Sequence, residues 1–380
     1  MIQRLLTNPF YLYSLSWTLV LFLYNIKYIN IYPDLTFDIF IFLLLTIINS
    51  LFLGIVLDRH IKYFIVSEKR EDSRLFYFIL FGWVLTFLYE GKIPILEALN
   101  KTGYMYVDFK GIPTFSPIIW TLTTYHNVRS FSQFLIFKKK KYLFYCIIEI
   151  ILYLLLCRRG PILIMILLNF LAYINLNKIR YITLKLVAGG VLILYLFGLL
   201  GNIRHGFSPT DTTMLKSIIN LKTSNSIFDP FLWGYIYITS PLSNLQYTFD
   251  CKNISYNILE FLRTGFLFDF IAKRLETEQV NEIKLLIENF NVQTGYNLSL
   301  MNLGIIGMYV IYIFYSVSTY IYIYMMRKTT YLLEVLCLLS GVNIFFIFTN
   351  MYTNSALGIT VLYPLIMQVK SIILKRREEK

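Results

Sequence analysis

Ten apolar runs, near residues 10–29, 37–57, 75–90, 115–137, 142–157, 160–176, 183–201, 299–326, 331–349 and 356–372, leave this chain few ways to fold. About 20 apolar residues carry a helix across the hydrocarbon core of a bilayer. Backbone polar groups there must be satisfied within the segment, so each run is predicted to be a membrane-spanning α-helix. The 75–90 and 142–157 runs are short and are expected to borrow flanking residues. At 57% hydrophobic and 18% aromatic residues, the chain has more apolar surface than a soluble domain can bury. The expected class is all-α, a single polytopic transmembrane domain over 1–380 with no apparent internal repeat. The first run lacks a small-residue cleavage site and is expected to remain as a helix.

The net charge of +13 raises the question of nucleic acid. The cations, however, cluster between the apolar runs, as expected of cytoplasmic loops facing anionic lipid, and no nucleic-acid partner is expected. With the N-terminus inside, the cytoplasmic segments are 1–9, 58–74, 138–141, 177–182, 327–330 and the tail. They carry Arg59, Lys62, Lys69, Arg70, Arg74, the run Lys138 to Lys141, Lys178, Arg180, Arg327, Lys328 and Lys375-Arg376-Arg377. Every short basic connection falls on one side, which predicts a bacterial inner-membrane protein with both termini cytoplasmic. Cys146, Cys157, Cys251 and Cys337 show no metal-ligand spacing, so neither disulfide nor zinc is expected, and no cofactor.

Three segments then face the periplasm: 91–114, the tight 158–161 turn, and a long loop over 202–298 with eight basic and nine acidic residues. Within that loop, 227–247 is apolar and aromatic but interrupted by Pro230, Gly234 and Pro241, which suggests a re-entrant or interfacial segment. Residues 274–290 space Leu275, Val280, Ile283, Leu286, Ile287 and Phe290 as an amphipathic helix.

Arg158-Arg159-Gly160-Pro161 puts two cations on the side where they are normally avoided. Pro161 suits the first turn of a helix, whose free N–H groups and partial positive charge add to two guanidinium groups. Such a corner can hold an oxyanion or a lipid diphosphate; the alternative is a pair of interfacial arginines on lipid headgroups. Arg204, past the seventh run, is a further outward cation, and the adjacent His205 can titrate near neutrality. Inside the bundle, Arg129 lies eight residues from the inner end of its run and Glu149 seven, so their depths match within a few Å and the two are expected to pair, with His126 nearby. No Walker loop, HExxH, GxSxG or DxD-like pair is present, so chemistry driven by ATP or a nucleotide sugar is not indicated.

Several segments in order resemble the bacterial oligosaccharide repeat-unit (O-antigen) polymerases. Glu90-Gly91-Lys92-Ile93-Pro94-Ile95-Leu96 resembles their "GxIPLL" stretch, and Phe109-Lys110-Gly111-Ile112-Pro113 their second Gly-x-Pro turn. The 158–161 turn is similar to "SRGP", with Arg158 in place of Ser. Tyr237-Ile238-Thr239-Ser240-Pro241-Leu242 resembles "YxTxPL". Asn291-Val292-Gln293-Thr294 and Asn302-Leu303-Gly304-Ile305-Ile306-Gly307 are similar to "NVYT…DFGxxG", with Gln293 for Tyr and Asn302 for Asp. The likeness covers about 90 to 310.

The resemblance implies a GT-C-like, metal-independent glycosyltransferase. Such an enzyme moves a glycan from undecaprenyl diphosphate onto the non-reducing sugar of another lipid-linked repeat unit, with membrane lipids and a chain-length regulator protein as further partners. Arg159, Arg158 and Arg204 would bind the leaving diphosphate. His205, Asp250 or Glu260 would serve as the base. Tyr237, Ser240, Asn291, Thr294 and Tyr296 would bind substrate, and Trp233, Tyr235, Tyr237 and Tyr247 would stack on sugars or anchor at the interface. An O-antigen ligase and a flippase for the same lipid-linked unit are the rival readings; a membrane acyltransferase would need a cytoplasmic acyl-donor site.

Overall fold

A computed structural model describes residues 2–60, 73–100, 102–104, 108–177, 184–204, 208, 210–221, 229–252, 254–275 and 284–378. Among them all regular structure is helical. The helices of nine residues or more are α1 Pro9–Asn25, α2 Phe37–His60, α3 Ser73–Glu90, α4 Phe115–Phe137, α5 Lys140–Leu155, α6 Arg159–Leu176, α7 Leu184–Arg204, α8 Leu232–Asp250, α9 Ile258–Phe266, α10 Asn297–Met326, α11 Leu332–Phe345 and α12 Gly358–Glu378. Each of the ten apolar runs falls on one of them. By length and composition α2, α3 and α10 can cross a membrane; Gly160–Leu176, α11 and Gly358–Ile373 are shorter apolar helices. Their outward faces remain apolar, with Ile48, Phe52, Phe81 and Ile313 exposed, a surface suited to lipid rather than water.

α4 and α11 form the centre. α4 packs on α3, α5, α6 and α12 and buries Ile119, Tyr125 and Val128 completely. α11 packs on α1, α6, α10 and α12, and every residue from Leu332 to Asn343 is buried. Local signals set the ends. Asn8 caps α1 by accepting the Phe10 amide at 3.0 Å, ahead of Pro9 in the first turn. Lys138, in the left-handed conformation, closes α4 and turns the chain straight into α5.

Two sequence expectations give way to the structure, and a third segment takes a definite form. The 227–247 segment, expected to be re-entrant or interfacial, is described over 229–247: a 3₁₀ turn at Asp229–Phe231 leads into α8, which runs helically through Pro241 and is mostly buried. Its Tyr235 hydroxyl donates to the Leu23 carbonyl (2.9 Å), while Gln246 Oε1 accepts the Thr36 amide (3.0 Å). The Tyr235 hydroxyl also accepts the Tyr28 amide (3.3 Å), so both ends of α8 touch the connection between α1 and α2 and the helix lies across one end of the bundle. Several of its buried polar side chains are satisfied: Thr239 and Thr248 donate to carbonyls one turn back, and Asn244 Nδ2 donates to the Phe290 and Val292 carbonyls, both at 2.8 Å.

The predicted 274–290 helix is replaced, where described, by a single turn of 3₁₀ helix over Lys273–Leu275 and by irregular chain over 284–290; residues 276–283 lie outside the described residues. Asn244 Oδ1 accepts the Leu286 amide (3.2 Å), and Phe290 packs on Trp233 and Leu232, so tertiary contacts override the local periodicity. The amphipathic helix of this region is α9 instead.

Glu149 does not pair with Arg129. Its Oε1 lies 2.5 Å from His126 Nδ1, and its Oε2 accepts from Asn127 Nδ2 at 3.0 Å. Arg129 donates to the Tyr125 hydroxyl (3.3 Å) and sits 4.9 Å above the Tyr331 ring. Matching depth was insufficient: at 3.6 residues per turn Arg129 points about 110° away from the direction shared by His126 and Asn127.

Candidate functional site

Four connections gather at the end of the bundle covered by α8: 108–114, the turn before α6, 267–275 and 346–357. Glu90 starts the assembly. Its Oε1 accepts the amides of Lys110 (2.8 Å) and Gly111 (2.5 Å), holding the second Gly-x-Pro turn against the end of α3. Gly111 has φ +71°, and a Cβ there would lie 2.6 Å from Ser116 Oγ, so the turn requires glycine. The turn in turn presents the Phe109 carbonyl to Arg158. Arg158 Nη2 donates to it at 2.9 Å, and the guanidinium lies 4.3 Å over the Trp120 ring. Arg274, from the distant loop, donates to Thr114 Oγ1 at 3.0 Å. Glu90, the 109–111 turn and Trp120 thus converge on one side chain, Arg158.

Two cavities open here. The first, about 350 Å³, has an apolar floor of Trp120, Tyr153, Pro161 and Ile164, and a polar rim with Arg158 and Lys273. The second, about 340 Å³, is lined by polar groups that include Glu260, Arg263, Gln293, Thr294, Asn350 and Thr353. Asp269, Lys273 and Asn354 belong to both walls. Asp269 is firmly set. Its amide donates to the Thr353 carbonyl (2.9 Å), while its Oδ1 accepts the amides of Phe270 (2.8 Å) and Ser355 (3.1 Å) and the Ser355 hydroxyl. Burial raises its pKa above the ordinary carboxylate value, against the opposing effects of the Phe270 amide, Lys273 and the Ser355 amide.

The second cavity depends on a kink in α10. Gly304 adopts φ 65°, ψ −159°, and the Met301 carbonyl accepts the Ser255 amide at 2.8 Å. Asn302 Nδ2 donates to Thr264 Oγ1 (3.0 Å), and the Tyr315 hydroxyl donates to the Gly265 carbonyl, so α9 is tied to the kinked segment. On α9, Arg263 forms a two-point pair with Glu260 (Nε–Oε2 2.7 Å, Nη2–Oε1 2.5 Å) and donates to the Ala272 carbonyl at 2.6 Å, which anchors the turn bearing Lys273.

The remaining candidates scatter. Arg159 is the first residue of α6 and Arg204 the last of α7; their side chains, and all of His205, lie outside the described residues. Thr294 lines the second cavity, its hydroxyl donating to Asn297 Oδ1 (2.7 Å), and Asn291 is exposed. Tyr237 stands beside Trp233 with ring centroids 6.5 Å apart, and Ser240 is buried in α8; neither lines the two cavities. Tyr296 is a core residue: it is fully buried, its hydroxyl is 2.6 Å from that of Tyr13, and its ring packs on Phe42 and Phe346. Of the three expected bases, Glu260 is committed to Arg263, and Asp250 is exposed with its Oδ1 accepting from Gln246 (2.7 Å). Asp269 and Lys273 were missed. The available signal was the acid flanked by two phenylalanines in Phe268-Asp269-Phe270, which announces a partly buried carboxylate. No protein-family model matches this chain, and no curated protein or solved structure is significantly similar to it.

Proposed function

We propose that the chain is a repeat-unit polymerase of the bacterial inner membrane. Its ten apolar helices span the bilayer in a GT-C-like arrangement with both termini cytoplasmic. It transfers a glycan from undecaprenyl diphosphate to the non-reducing end of a second lipid-linked repeat unit on the periplasmic side. The observation that carries this reading is the first cavity: a slot with an aromatic and aliphatic floor, rimmed by Arg158 and Lys273, at the bundle end away from the short basic turns. A prenyl diphosphate has that same division, an apolar chain ending in concentrated negative charge. The guanidinium of Arg158 is fixed by Phe109 and Trp120 before any ligand arrives, so little reorganisation is needed when charge develops on the departing diphosphate. The N-terminus of α6 adds unpaired amides beside it.

The test uses purified protein in vesicles with a lipid-linked repeat unit as the sole substrate, product length being read on a gel. Wild type should build a ladder of multimers. Arg158→Ala and Lys273→Ala should each slow it by about 10²–10³-fold, and Arg158→Lys should recover only part, because an ammonium cannot make the bidentate contact. Single turnovers onto a lipid A core without multimers would mark a ligase instead. Movement of intact lipid across the vesicle without new glycosidic bonds would mark a flippase.

A further inference from the structure

We infer that the second cavity holds the terminal sugar of the acceptor, and that Asp269, on the wall common to both cavities, takes the proton from the attacking hydroxyl. This rests on the polymerase reading and assigns the part of the reaction that the cationic slot leaves open.

The two cavities differ in chemistry as donor and acceptor sites must. The first is largely apolar and accepts a lipid with a charged head. The second also has Leu267, Ala272 and Leu298 in its walls but presents more hydroxyl, amide and charged groups, the set that hydrogen-bonds a sugar's ring of hydroxyls. Among the described residues, the acid on both walls is Asp269. Its surroundings leave the carboxylate in command of the junction. Lys273 shares its short turn, Arg158 approaches from the turn before α6, the Glu260–Arg263 pair from α9, and the 349–356 loop brings hydroxyl and amide groups with no charge. Three donors fix Oδ1, so the group cannot swing away. The step balances without a metal or oxidant. The acceptor O–H gives its proton to the Asp269 carboxylate as its oxygen bonds to the anomeric carbon. The bond from that carbon to the diphosphate oxygen breaks, and its electron pair leaves with the lipid diphosphate at Arg158 and Lys273. Solvent then takes the proton from Asp269. A raised carboxyl pKa suits this role, since proton affinity nearer the working pH makes a stronger base.

Asp269→Asn separates chemistry from scaffolding, because an amide oxygen can still accept from Phe270 and Ser355. The variant should retain wild-type melting temperature and donor KM while turnover falls by about 10²–10⁴-fold. The wild-type rate should fall on acidification through a limb lying above the ordinary carboxylate range, since the base must be unprotonated. That limb should be lost in Asp269→Asn and displaced, with partial recovery of rate, in Asp269→Glu. If wild type makes multimers and Asp269→Asn keeps turnover within about threefold with the same acid limb, the inference is overturned while the polymerase reading stands. If both variants lose rate only in proportion to lost melting temperature, Asp269 is a scaffold and the inference is equally overturned. If wild type makes no glycosidic bond at all, the polymerase reading fails first.

Discussion

Two glycines on α10 are expected to be coupled through one kink. Gly304 holds φ 65°, ψ −159°, a region essentially closed to other residues, and a Cβ built there meets nothing nearer than Ile254 Cδ1 at 3.8 Å. Gly304→Ala therefore carries backbone strain with no clash, about 1–3 kcal/mol. Gly307 has an ordinary helical backbone but no room: its Cβ would lie 2.5 Å from the Ser299 carbonyl oxygen and 2.9 Å from Leu303 Cβ. Gly307→Ala should cost a similar 1–3 kcal/mol, about what overpacking costs elsewhere. The Ser299 carbonyl is that close only because the kink folds it back; in a straight helix it would lie two turns away along the axis. A chain that straightens to relieve a methyl group at position 304 thus also makes room for one at position 307. The double variant should be less destabilised than the sum of the singles by about 1 kcal/mol or more, where distant substitutions add. Denaturant titration in mixed micelles, followed by Trp fluorescence, measures all four corners of this cycle. Strict additivity, or a neutral Gly304→Ala, would refute the argument that the kink is the common cause.

Substitutions at two other positions test the packing of buried polar groups. Glu149→Gln should be tolerated, since Gln can still serve Asn127 and His126, whereas Glu149→Ala strands both partners inside the bundle and should cost about 3–5 kcal/mol in the same titration. Tyr296→Phe should lose about 1 kcal/mol with the Tyr13 hydrogen bond yet leave multimer synthesis unchanged, as a core residue must; a selective loss of turnover would return it to the site.

The helices were legible because apolar length is a local property: each run from Pro9–Asn25 to Gly358–Glu378 announces itself without reference to the others. Arg158 was legible for a related reason, since a cation at a turn expected to face outward runs against the charge rule on its own. What escaped depends on partners far away in sequence. Asp269 matters through Ser355 and Lys273 through its place between two cavities, relations no spacing encodes. The Arg129–Glu149 expectation used depth but not azimuth, and the structure decided on azimuth. Over 284–290, the described part of the second half of the 274–290 segment, the helical periodicity yields to the hold of Asn244 on 286–292.

α11 has a consequence for how such a molecule is made. Its 14 residues span about 21 Å, well short of a hydrocarbon core of about 30 Å, and it carries Glu334. Surrounded by protein on every side, it has no face prepared for lipid. Left alone in a membrane it would be a poor tenant, too short and charged. Yet α1, α4, α6 and α10, which line most of its socket, are synthesised before it, so the ribosome delivers the central pillar into a room that lacks only the wall made by α12.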